Sequence, residues 1–188
     1  IVRNTVKLEE QAAQAKLMTF NENGREYRIG VIDVPTFYID FKASQQGEKD
    51  YRSTTRDVTK LIHQLKKENI DGLVIDLRNN GGGSLQEADT LTGLFIKSGP
   101  TVQVKSARRR ANVYADNDNA ITWDGPMAVV VNRLSASASE IFAGAIQDYG
   151  RGVIVGSQTF GKGTVQTLVP LNRGQLKITA AKFYRVSG

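Results

Sequence analysis

Three times along this chain a short apolar run reads as a buried strand and then gives way to a helix. Residues 27–34 lead to a helix over about 53–69, residues 73–77 to one near 85–96, and residues 127–132 to one over about 137–148. The first helix carries its apolar side chains Val58, Leu61, Ile62 and Leu65 at i, i+3, i+4 and i+7, which is one face of a 3.6-residue period. Strands that alternate with helices in this way argue for an α/β fold with parallel pairing. Further strands are expected near 16–20, 102–104, 153–155, 165–169 and 176–186. A turn is expected at Asn21-Glu22-Asn23-Gly24, while Asp71-Gly72 reads as the stop of the first helix and Gly99-Pro100 as the breaker of the second. Residues 37–41 form a second short apolar run. Residues 45–50 read as a polar loop, and 107–123 as a polar excursion between strands.

The 188 residues are enough for one good core. No stretch approaches eighteen consecutive apolar residues, so no membrane span is expected. The chain opens at Ile1 in a polar stretch and stops after a strand-like run, which reads as a piece of a longer or processed protein.

Residue types that are scarce here constrain the chemistry. The chain has no cysteine and one histidine. Cys-His catalysis is therefore excluded, and Ser-His-Asp is nearly so. A serine activated by a lysine is the simplest nucleophile that remains. His63 lies off the apolar stripe of its helix and reads as solvated. One histidine, no cysteine and no carboxylates at ligand spacing argue against a metal, and no cofactor is expected. Absence of cysteine fits an extracytoplasmic compartment such as a periplasm.

The net charge of +6 raises the question of nucleic acid. The densest basic run, Lys105-Ser106-Ala107-Arg108-Arg109-Arg110, has no interleaved aromatics and reads as a solvated hairpin tip. No nucleic-acid partner is expected from it.

Three loops could carry chemistry. Arg78-Asn79-Asn80-Gly81-Gly82-Gly83 follows a buried strand and opens a helix. Its glycines are contiguous and do not fit the dinucleotide spacing, but they would expose backbone N–H groups to an oxyanion. Ser135-Ala136-Ser137-Ala138-Ser139-Glu140 starts a helix. Ser137 and Glu140 match a capping box. A helix start is also where a nucleophilic serine gains most, because the next N–H, that of Ala138, can face a developing negative charge. Gly156-Ser157-Gln158-Thr159-Phe160-Gly161-Lys162-Gly163 nearly matches a phosphate-binding loop. Gly163 stands where a hydroxyl belongs, however, and the β-branched Thr164, Val165 and Thr167 forbid the helix that should follow. What remains is a lysine in a constrained turn. Burial disfavours an ammonium, which is how a lysine becomes able to take a serine's proton.

Taken together the three loops resemble the peptidase core of the bacterial tail-specific, or C-terminal processing, proteases, a Ser-Lys serine peptidase family. The resemblance rests on Ile75-Asp76-Leu77-Arg78-Asn79-Asn80-Gly81-Gly82-Gly83, on Ser135 through Phe142, on Thr159-Phe160-Gly161-Lys162-Gly163-Thr164-Val165-Gln166, and on Lys177 through Tyr184. It implies a crotonase-like α/β peptidase core, with a mixed or parallel sheet and flanking helices, over residues 26–188. Residues 1–25 are then a lead-in following a PDZ-type region that this chain lacks, and the core is cut short at its C-terminal end. The resemblance makes Ser137 the nucleophile, Lys162 the general base and Gln166 its orienting partner. The Gly83 and Ala138 N–H groups form the oxyanion hole. It selects Ser137 over Ser135 and Ser139, a choice that spacing alone leaves open.

The implied activity is endopeptidase cleavage of proteins recognised through an apolar, unfolded C-terminal tail, in the periplasm, with any adaptor protein unspecified. Three rivals stand beside it. They are a catalytically silent peptide-binding module of the same fold, a coenzyme A-dependent crotonase enzyme, and a phosphate-loop nucleotide binder.

Overall fold

The computed structural model describes residues 12–48, 50–107 and 109–188. The lead-in residues 1–11 and Arg108 of the basic run lie outside the described residues.

Antiparallel strands β1 (Gln14–Glu22) and β2 (Arg25–Asp33) form a hairpin. Its turn sits at Asn23 and Gly24, with φ of 52° and 79°. Two consecutive left-handed residues give the turn a twist that matches paired strands, and asparagine and glycine are the types that tolerate it. Past the short helix α1 (Phe41–Gln45), α2 (Thr54–Lys67) begins where the Ser53 side chain accepts from Arg56 N–H. It ends at Asn69, whose φ of 51° turns the chain out of the helix. Strand β3 (Gly72–Asp76) then pairs parallel with β2. Helix α3 (Leu85–Gly93) follows, capped by Ser84, and then strands β4 (Gly99–Lys105) and β5 (Asn112–Asp116). Strand β6 (Met127–Val131) returns to pair parallel with β3 and leads into α4 (Ala138–Asp148). Strand β7 (Val153–Gly156) pairs parallel with β6. A final hairpin, β8 (Thr164–Pro170) and β9 (Gln175–Tyr184), joins β4.

The result is two sheets, ordered β1-β2-β3-β6-β7 and β5-β4-β9-β8. The first is mixed and the second antiparallel. The alternation read from the sequence holds for all three strand-helix units. Two short elements escape it. Strand β5 lies within the stretch read as a polar excursion, its one flank of alternation being too short to stand out. Helix α1 takes over the end of the second apolar run, where the Asp40 side chain caps it by accepting from Ala43 N–H. Gly99-Pro100, read as a helix breaker, is the start of β4.

Strands β2, β3, β6 and β7 lie side by side in chain order. Right-handed crossovers therefore place α2, α3 and α4 on the same face of the first sheet. The core fills that interface. Ile32, Leu73, Ile75 and Val129 from the strands meet Val58, Ile62, Leu91, Phe142 and Ile146 from the helices, all of them buried. Phe95 and Phe142 meet edge to face with ring centroids 5.8 Å apart. Parallel register also fixes where the loops emerge. Those after β3, β6 and β7 leave the C-terminal ends of three neighbouring strands, which is where ligands bind in open α/β sheets. These are the three loops singled out in the sequence.

Phe142 sits fully buried beneath the start of α4. Phe142→Ala is expected to cost about 3–5 kcal/mol of stability, read from the urea unfolding midpoint at constant slope.

Candidate active site

The glycine loop is held by Asn80, which is fully buried. Its side-chain amide donates to Val34 O at 2.7 Å and its side-chain oxygen accepts from Gly82 N–H at 2.8 Å. Its backbone oxygen accepts from Ala136 N–H at 3.0 Å and from the Ser139 hydroxyl at 2.9 Å. One asparagine thus ties the glycine loop both to the residue that follows β2 and to the serine turn. Glycine is required at two of the positions that follow. Gly82 has φ of 102°, and a Cβ there would lie 2.8 Å from both Ala136 O and Ser137 Cβ. Gly83 has φ of 146°, and a Cβ there would run into the Phe37 carbonyl. The loop can approach the serine only without side chains.

The three serines differ sharply in their surroundings. Ser135 is fully buried and its hydroxyl donates to Leu77 O at 2.8 Å. Ser139 is fully buried and donates to Asn80 O. Both pin the turn to the loop after β3. Ser137 is half-buried, and its hydroxyl donates to no backbone carbonyl among the described residues. Its backbone has φ 58° and ψ −114°, a conformation that L-residues rarely adopt. Such a backbone costs on the order of 1–3 kcal/mol and persists only where its surroundings enforce it.

Glu140 supplies much of that enforcement. Its carboxylate accepts from Ser137 N–H at 2.8 Å, which is the backward-reaching half of the capping box. It also accepts from the Thr159 hydroxyl at 2.8 Å, Gly161 N–H at 2.6 Å and Lys162 N–H at 2.9 Å. One carboxylate therefore binds both the serine turn and the lysine loop. Phe160 N–H donates to Ser135 O, the Arg133 guanidinium donates to Thr159 O, and Phe183 N–H donates to Gly163 O. The lysine loop is fixed at both ends to the body of the fold.

Ser137, Lys162, Gln166, Gly83 and Ala138 all line one cleft of about 480 Å³. Lys162 is half-buried, Gln166 exposed and Ala138 buried. Neither Gly83 N–H nor Ala138 N–H donates to an acceptor among the described residues. Ala138 is the first residue of α4, so its N–H has no intrahelical partner. The cleft thus joins a hydroxyl, an amine and two unengaged amide donors at a helix N-terminus, the parts that acyl transfer needs.

The sequence pattern that defines Peptidase family S41 matches residues 28–188. A tail-specific protease of Haemophilus influenzae is 45% identical over 100% of this chain. The chain spans 26% of that relative's length. A chloroplastic C-terminal processing peptidase of Tetradesmus obliquus is 36% identical over 72% of the chain and 30% of its own length. Among solved structures, a photosystem II D1 C-terminal processing protease superposes with a TM-score of 0.73 at 30% identity, covering 93% of this chain and 44% of its own. The chain belongs to Peptidase family S41. A family protease from Bacteroides fragilis, at 17% identity and a TM-score of 0.71 over 92% of this chain and 46% of its own, shares the fold.

In this S41 chain several sequence readings can be placed. Asp76 accepts from Arg78 N–H at 3.0 Å and pairs with the Arg78 guanidinium at 2.6 Å. His63 is exposed, as its position on the helix suggested. The near phosphate-loop match folds as a turn into β8, with no helix after it. Glu140 was legible only as a helix cap. Its three partners in the lysine loop lie about twenty residues away, and no spacing rule links a carboxylate to a loop at that distance. The chain also has no helix among the described residues long and apolar enough to cross a membrane.

Glu140→Gln tests the clasp. An amide presents one accepting oxygen, and its NH2 would confront N–H donors, each left unsatisfied at about 1–3 kcal/mol. Hydrogen exchange at the Gly161 and Lys162 amides is expected to quicken at least about tenfold, read by exchange mass spectrometry, while the amides of β3 keep their protection.

The Asp76–Arg78 pair gives a pH signature. Burial pushes the Asp76 carboxyl up, but the Arg78 side chain and N–H outweigh it and hold it below the usual aspartate range. A lowered carboxyl stabilises the fold above its unfolded value near 4 and loses that contribution as pH falls through the folded value. Arg78→Gln should therefore destabilise more at pH 7 than at pH 3, measured by urea unfolding at each pH.

Proposed function

We propose that this chain is the catalytic core of a Ser-Lys serine endopeptidase. The observation that carries the reading is the convergence of Ser137, Lys162, Gly83 and Ala138 on one cleft, with Ser137 the only one of three clustered serines whose hydroxyl is not engaged with a backbone carbonyl. Membership in Peptidase family S41 supports it independently.

Each step uses groups of this chain. The Lys162 side-chain nitrogen takes the Ser137 proton while the oxygen attacks the scissile carbonyl. The carbonyl oxygen gains negative charge and receives hydrogen bonds from Gly83 and Ala138 N–H. The N-terminal end of α4 adds its dipole to the same oxygen. The Lys162 ammonium then returns a proton to the leaving amine, and an acyl-enzyme remains on Ser137. Water, deprotonated by Lys162, releases the acyl group and restores the serine. Gln166 orients the lysine. Glu140 touches no reacting atom and acts as a positioning residue.

Residues 26–188 serve as the peptidase core and residues 1–25 lead into it. The substrates are polypeptides with unfolded, apolar C-terminal tails; the similarity to a tail-specific protease and to a C-terminal processing peptidase supports action at chain ends. Capture of the tail is assigned to parts of the protein beyond this core, by strand addition in a PDZ-type region. The periplasm is the proposed location, consistent with the bacterial tail-specific relative and the lack of cysteine.

Ser137→Ala and Lys162→Ala are each expected to lower cleavage of an unfolded, apolar-tailed polypeptide by at least about 10³-fold, with unfolding midpoints close to that of the parent chain. Turnover comparable to the parent in a correctly folded Ser137→Ala protein would remove Ser137 from the chemistry.

A further inference from the structure

Three of the four strands of the second sheet carry an unbalanced charge next to the cleft, the fourth, β5, ending in Asp116. Strands β4, β8 and β9 contain Lys105, Lys177 and Lys182 and no aspartate or glutamate. All three lysines are exposed, and none forms an ion pair among the described residues. Lys105 and Lys182 stand directly opposite each other in the β4–β9 register. Like charges in that position destabilise a sheet. Lys182 faces Thr164 across β8, and Lys177 is a diagonal neighbour of Gln166 in the same hairpin.

Two adjoining hollows follow this line of charge. Lys177 lines the cleft that holds Ser137, Lys162 and Gln166, and no carboxylate lines it. Lys105 and Lys182 line a neighbouring groove of about 400 Å³, again without a carboxylate. Thr164 lines both, so the groove continues the cleft. Beyond Lys105 the chain turns into the exposed Arg109 and Arg110. Arg109 and Arg110 of the basic run read from the sequence as a solvated tip are therefore the far end of a positive track that starts beside Ser137.

We propose that this track is an extended subsite for acidic segments of the polypeptide substrate, placing Asp- or Glu-rich sequence beside the cleaved bond. The inference rests on the peptidase reading and adds a substrate class to it. A peptide lying along the cleft advances about 3.3 Å per residue. A short acidic block can therefore reach successive lysines while the scissile bond sits at Ser137. The carboxylates relieve the repulsion between Lys105 and Lys182 and steer the chain toward the cleft.

The experiment compares three amidated fluorogenic peptides of equal length. All share one cleavable apolar sequence and differ in a flanking block of Asp/Glu, Asn/Gln or Lys, placed on either side in separate sets. Parent chain and the combined Lys105→Gln/Lys177→Gln/Lys182→Gln variant are assayed at 50 and 300 mM NaCl. The expected result is a kcat/KM about tenfold higher for the acidic than for the neutral peptide at low salt, with the block on one side. The preference should fall below about threefold at high salt, as screening of exposed charge requires. In the combined variant it should vanish, the acidic and neutral peptides being cleaved within about twofold of each other. Binding of the same peptides to the Ser137→Ala protein, by fluorescence anisotropy, tests the track without turnover. No acidic preference in either assay, or one that survives removal of the lysines, overturns the subsite while the peptidase reading stands. Undiminished turnover by Ser137→Ala overturns the peptidase reading and leaves the binding result to judge the track. Displacement of the acidic peptide by an oligonucleotide of equal charge at lower concentration would assign the face to nucleic acid and overturn the proposal.

Discussion

One carboxylate, that of Glu140, joins the two halves of the site. It accepts from the N–H of the serine turn and from two N–H groups and a hydroxyl of the lysine loop. Hydrogen bonds to an ionised acceptor are roughly twice as strong as neutral ones, and four on one group leave it few alternative arrangements. The consequence is geometric. The serine backbone is strained and cannot hold its φ of 58° by itself. The lysine loop has no helix or strand of its own to define it. Fastened to the same carboxylate, each loop becomes the template for the other.

The fold makes this clasp attainable. Neighbouring parallel strands β3, β6 and β7 deliver the glycine, serine and lysine loops to one edge of the sheet. Buried polar groups then sew the loops together. Asn80 joins the glycine loop to Val34, just past β2, and to the serine turn, and Ser135 and Ser139 secure that turn to the loop after β3. Two of the three clustered serines are thus spent on structure. The third is turned toward the cleft, where the amide donors of Gly83 and Ala138 also lie.

Much of this could be read from the residues, and the limits have physical causes. The α2 stripe, the Ser137–Glu140 capping box and the strand-helix alternation are local signals, and they placed the three longer helices and the strands that precede them. The antiparallel second sheet was not legible as a sheet. Its strands pair β4 with β9 across some eighty residues, and a two-residue period says nothing about partners. The loops were legible as glycine, serine and lysine turns, and the resemblance to tail-specific proteases ordered them into roles. Glu140 illustrates the boundary most clearly. Its capping contact is three residues long and could be seen, whereas its contacts to the lysine loop exist only after folding. The lysines of β4 and β9 are similar, unremarkable one at a time and aligned only by register.

The account comes down to which oxygen in the serine cluster is nucleophilic. Treating the folded chain with an acylating serine reagent and mapping the adduct by peptide mass spectrometry asks this directly. The account predicts a single adduct on Ser137, absent when Lys162 is replaced by alanine. An adduct on Ser135 or Ser139, or one on Ser137 that forms at the same rate without Lys162, would contradict it.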